Sequence, residues 1–119
     1  MCHQSVGLIA REIEAAGVPT LCMSSAWDIS AAVRAPRTAF VHFPLGHQTG
    51  PPGEPALQRE IVRAALEAGV ALREPGAIAT LPFRWSGDPG WEERAYAAGH
   101  VPTGPDGRPR RDPAPGAAR

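Results

Sequence analysis

The stretch IAREIEAAGVPTLCMSS, residues 9–25, constrains the fold more than any other part of the chain. Val6, Ile9, Ile13 and Ala16 recur at helical spacing, while Arg11, Glu12 and Glu14 avoid that stripe. This predicts a helix with Ser5 as its N-cap and the Val6–Ala16 stripe as its core face. Gly17 and Pro19 then stop it, the first by accepting a left-handed cap and the second by being unable to continue. Thr20–Ser25 follows as a short buried strand. A helix that ends sharply and feeds a strand within five residues is half of an α/β repeat.

The rest of the chain repeats the pattern. Residues 25–35 predict a short helix, with Ser25 and Asp28 as an approximate capping box and Pro36 as the stop. Thr38–Phe43 is a strand rich in β-branched and aromatic residues. HQTGPPGEP, His47–Pro55, is loop. A third helix starts at Pro55, which suits a first turn. Leu57, Ile61, Ala65 and Ala68 form its core stripe, widened by Val62 and Leu66. Gly76–Phe83 supplies a third strand. The alternation implies a small three-layer α/β domain, Rossmann-like or flavodoxin-like, with a short parallel sheet. Such folds usually open on a strand, so a leading strand is expected ahead of Cys2. Its absence leaves an unpaired edge for a second copy or a partner subunit to cover.

A single domain is expected over residues 1–102, with a C-terminal arm over about 82–102. Trp85 and Trp91 on that arm are interface anchors or packing groups. Residues 103–119 contain no large apolar residue and are expected to be a disordered tail.

Charge narrows the function classes. Twelve basic and twelve acidic residues give a net charge of zero, which argues against a nucleic-acid binder. No apolar run reaches the length of a membrane span, and Arg11, Glu12 and Glu14 interrupt the only N-terminal apolar stretch. A cytoplasmic protein is expected, with two cysteines, Cys2 and Cys22, that are free, catalytic or metal-bound rather than bridged. No cofactor is evident, and without a Gly-x-Gly-x-x-Gly the chain is expected to offer no dinucleotide site of its own.

Cys2 and His3 stand directly ahead of the first helix stripe. A thiol at a helix start meets unpaired backbone N–H groups, which favour the reactive thiolate, and a neighbouring imidazole supplies acid/base capacity. The alternative is a pair of terminal residues without a role. Cys22, between Leu21 and Met23, reads as an inert buried thiol or a resolving one. His42 reads as a strand histidine or a site residue. His47 and Gly46 lie where the chain leaves a strand's carboxyl end, the place where ligands bind in such folds. Ser24 and Ser25 lie at the equivalent end of the preceding strand and are candidates to line a substrate site. Cys2, Cys22, His42 and His47 also form a candidate metal set, without the close-paired spacing of a zinc module.

Three motifs in order carry a resemblance. CHQSVGLIAREIEAAGVPT, FPLGH (Phe43–His47) and LQREIVRAALEA together resemble the glycine/sarcosine/betaine reductase selenoprotein B family, which includes D-proline reductase subunits. The resemblance covers roughly residues 2–70, in a shortened form without selenocysteine. Family members place a selenocysteine on a turn before this helix, with a nearby cysteine, and reductively cleave a carbon–heteroatom bond. The resemblance implies that Cys2 lies in that reactive segment. It implies a thiol-dependent oxidoreductase, or a subunit of one, acting on a small molecule. Cys2 would be the nucleophile, and His3 and His47 the acid/base and pocket groups. A non-catalytic subunit or small-molecule binding module that keeps the fold is the second reading. A metal-binding protein is the third.

Overall fold

The computed structural model describes residues 2–85 and 90–97. The expected tail, residues 103–119, lies outside the described residues, as do residues 86–89 and 98–102 of the arm. The fold is mixed α/β, with a three-stranded parallel sheet and four helices among the described residues. In chain order these are α1 (Cys2–Ala15), β1 (Cys22–Ser24), α2 (Trp27–Val33), β2 (Arg37–Phe40), α3 (Pro55–Ala71), β3 (Ala77–Thr80) and α4 (Trp91–Ala97). The strands lie in the order β1-β2-β3, with Cys22 opposite Thr38 and Thr38 opposite Ile78.

Side-chain alternation along β1 divides the core. Cys22 packs with Ala10 of α1 and with Ala35 and Val33 at the end of α2. Leu21 and Met23 point the other way, into a larger cluster of Ala39, Val41, Phe43, Leu57, Ile61 and Ala65. α1 and α2 therefore cover one face of the sheet and α3 covers the other, as a parallel sheet requires.

The stop after α1 is as the sequence reads. Gly17 adopts φ 93°, its N–H bonds the Glu14 carbonyl, and the Val18 N–H bonds the Ile13 carbonyl. This double closure is a Schellman cap, and the left-handed residue at its centre favours glycine.

Other expectations are corrected. α1 begins at Cys2, so Ser5 lies inside the helix and does not cap it. Its buried residues are His3, Gly7 and Ala10, whereas Val6, Ile9 and Ile13 are 45%, 57% and 41% exposed. The reason is closeness of approach. A Cβ on Gly7 would lie 2.5 Å from a Val33 methyl, so α1 meets α2 on a face of small residues. α3 buries Leu57, Ile61, Ala65 and Gly69 as its stripe, but Val62 and Leu66 are exposed and do not widen it. Ala26, not Ser25, is the N-cap of α2, with no side-chain cap bond from Ser25 or Asp28. The Ser24 hydroxyl takes the Ala26 N–H at 3.0 Å and closes that turn one residue earlier.

β2 also ends earlier than its composition suggests. The Phe43 N–H bonds the Val41 carbonyl, a tight turn centred on His42 that leaves the ladder at Phe40. α4 was not legible as a helix. Its Trp91 ring packs on His42 at 5.2 Å, and Trp85 packs on Phe43 at 5.3 Å.

Ile61 is fully buried at the centre of the larger cluster. Ile61→Ala is expected to cost about 2–5 kcal/mol, read as a lower urea midpoint with an unchanged slope.

Candidate functional site

The carboxyl ends of β1 and β2 and the first turn of α1 meet at one place. His3 is buried, and its Nε2 accepts the Ser25 N–H at 3.3 Å. The Gln48 side-chain amide reaches the same Nε2 at 2.8 Å. A backbone N–H can only donate, so Nε2 carries a lone pair, the imidazole is neutral and its proton sits on Nδ1. His3 thereby ties α1, the exit of β1 and the loop after β2 together.

That loop is shaped by two consecutive turns. The His47 N–H bonds the Pro44 carbonyl, with Gly46 at φ 89°, and the Gly50 N–H bonds the His47 carbonyl. A positive φ at the third position of such a turn is where glycine is favoured. Gly46 thus sets the direction in which His47 and Gln48 leave the sheet. Gln58 of α3 anchors the far side of the loop through a 2.7 Å bond to the Pro51 carbonyl.

Ser24 and Ser25 have separate surroundings. The Ser24 hydroxyl accepts from Ala26 N–H and from the Ser30 hydroxyl at 2.7 Å, and donates to the Ala26 carbonyl. All of its capacity is spent inside the β1–α2 turn. The Ser25 hydroxyl is buried and has no hydrogen-bond partner among the described residues. The His47 Nδ1 and Trp85 Nε1 atoms are likewise buried without a partner there, on rings 5.2 Å apart. Buried polar groups normally find partners, and these three atoms have none among the described residues.

The thiols differ sharply. Cys2 is exposed on the first residue of α1, next to the buried His3. Cys22 is buried, with its Sγ 4.0 Å from the Val6 carbonyl, and desolvation and the nearby Glu14 carboxylate both push its thiol pKa above the ordinary 9.0. Cys22 is therefore a protonated core group at neutral pH.

His42 belongs to another constellation. Its Nε2 lies 2.6 Å from the Glu92 carboxylate, both side chains being buried, with Trp91 against the ring. Among the described residues, no three His, Cys, Asp or Glu side chains come together as a metal set. Cys22, His42 and His47 each occupy separate surroundings. Two residues of these networks, Gln48 and Glu92, were missed by sequence reasoning. Each acts across 45 or more residues of chain and leaves no local signature.

No family model matches the chain, and no solved structure matches it. Among curated proteins it is similar to the D-proline reductase subunit gamma of Acetoanaerobium sticklandii, 29% identical over 84 residues. The match covers 71% of this chain and 35% of that protein, so the chain spans about a third of its relative. The similarity is to a reductase subunit. No helix among the described residues is long and apolar enough to cross a membrane.

Two outcomes follow for stability. His3→Ala leaves the Ser25 N–H and the Gln48 amide without their acceptor, at an expected cost of about 1–3 kcal/mol, measured by urea denaturation. Cys22 holds its proton in the fold beyond the pH at which the unfolded thiol ionises. Its contribution is fully present below about pH 9.0 and is lost as pH rises through the raised folded-state value. Stability measured across the alkaline range is expected to fall, and Cys22→Ala is expected to flatten that fall.

Proposed function

We propose that the chain is a thiol-dependent reductase module or subunit, related to the selenoprotein B reductases and working in a reducing, cytoplasmic setting. The observation that carries this reading is the placement of Cys2. It is an exposed thiol on the first residue of α1, beside a histidine that is locked to the carboxyl end of the sheet. The similarity to a reductase subunit supports the same assignment.

Reductive cleavage of a carbon–heteroatom bond consumes two electrons. Two thiols become a disulfide, the carbon–heteroatom bond breaks, and carbon and heteroatom each gain a hydrogen. Cys2 supplies one sulfur. The second comes from an external thiol reductant, because Cys22 is buried in the α1–β1 interface and held protonated. His47 is the acid/base group that serves the leaving heteroatom, with its Nδ1 unspent within the described chain. His3 is a positioning residue that fixes the first turn of α1 against Ser25. In this reading Ser25 and Gly46 line the substrate, and Ser24 supports Ser25 through the β1–α2 turn.

A second reading is a non-catalytic subunit that keeps the fold, favoured by the similarity to a protein named as one subunit of a reductase. Alkylation separates the two. In the catalytic case, iodoacetamide at neutral pH labels Cys2 rapidly, and Cys22 labels only as the chain unfolds. Cys2→Ser then abolishes thiol transfer to a small disulfide probe while the far-ultraviolet circular dichroism is unchanged. Equal, slow labelling of both thiols would sink the catalytic assignment.

A further inference from the structure

The exposed face of α3 carries the two most exposed large apolar residues among the described residues. Leu66 and Val70 are 61% and 74% exposed, and Val62 precedes them at the same four-residue spacing. The three form a ridge along the helix. A cleft lies on each side of it. One, of about 430 Å³, runs between α3 and β1 and is lined by Leu21, Met23, Val62, Leu66 and Val70. The other, of about 690 Å³, is lined by Gln58, Arg59, Val62, Arg63, Leu66 and Glu67. Gly69 deepens the first cleft, since a side chain there would press on Leu21 at 3.1 Å.

From this shape we infer that α3 is the contact face of a two-fold homodimer, in which the Val62–Leu66–Val70 ridge of each copy lies in the cleft of the other. Rows of side chains four residues apart on two helices interdigitate in the commonest helix packing of globular proteins. A two-fold contact is self-complementary, so the same ridge and cleft serve both copies.

Charge selects a second copy over an unrelated partner. Arg63 and Glu67 are exposed on one flank of the ridge, and neither makes an ion pair among the described residues. Their order along the helix, basic before acidic, is the less favourable one for a bond within the helix. Two copies of α3 crossing in antiparallel sense at the level of Ala65 and Leu66, with Leu66 on the contact face, bring Arg63 of each opposite Glu67 of the other. The two unpaired charges of one chain thus become two interchain pairs around an apolar centre. The remaining charge at the rim of the first cleft, Arg37, is already held by Glu14 at 2.9 Å and does not oppose burial.

Light scattering on the 119-residue chain at micromolar concentration tests this. The expected mass is twice the 12.5 kDa of one chain. Leu66→Glu places a charge at the crossing point and is expected to return the mass to that of one chain, with unchanged circular dichroism. Arg63→Glu and Glu67→Arg each weaken the dimer, and the double exchange restores it. A wild-type chain that remains at 12.5 kDa overturns the proposal, whatever else that face binds. So does a dimer that is indifferent to Leu66→Glu and to both single charge reversals.

Discussion

A parallel sheet has to be covered on both faces, and this one is made of strands only three and four residues long. So little backbone pairing cannot hold the strands in place, and the contact of each face with its helices carries the fold. α1 makes that contact through His3, Gly7 and Ala10, and α3 through Leu57, Ile61, Ala65 and Gly69. Glycine permits two close contacts on these faces: Gly7 of α1 against Val33 of α2, and Gly69 of α3 against Leu21 beside β1. The small-residue faces turn inward, and as a consequence larger apolar residues on the same helices, Ile9, Ile13, Leu66 and Val70, turn outward.

This explains which parts of the fold were legible in the sequence. Existence and order of α1, β1, α2, β2, α3 and β3 follow from period and punctuation, because those signals act within a few residues. The Gly17 stop is entirely local, a pair of backbone bonds around one left-handed residue. Which face of α1 is buried is a tertiary matter. The helix carries an apolar stripe and a small-residue stripe, and periodicity favours the stripe of larger residues. Steric closeness to Val33 decided for the other, and nothing in residues 2–15 records where Val33 lies.

The candidate site divides in the same way. Cys2 and His3 stand out in the sequence because they lie at a helix start. The role of His3 does not, since its partners come from the exit of β1 and from the loop after β2. His42 looked like a companion of His47 because the two flank one short motif. The turn centred on His42 separates them: it ends the ladder at Phe40, and the two rings then settle against different tryptophans, Trp91 and Trp85. Proximity in sequence was a poor guide to proximity in space here.

Ser24 and Ser25 show how the fold apportions its polar groups. They are adjacent, identical in type and both buried. The Ser24 hydroxyl closes the turn into α2 with three bonds, so that turn needs nothing from Ser25. The Ser25 backbone N–H is then free to hold His3, and its hydroxyl remains unspent within the described chain. One serine is the hinge pin of the β1–α2 connection, and that is what leaves the other available to the site. The Ser25–His3 contact therefore rests on a completed turn one residue away, and a loss at Ser24 would act on Ser25 and His3 through the backbone rather than through any direct contact.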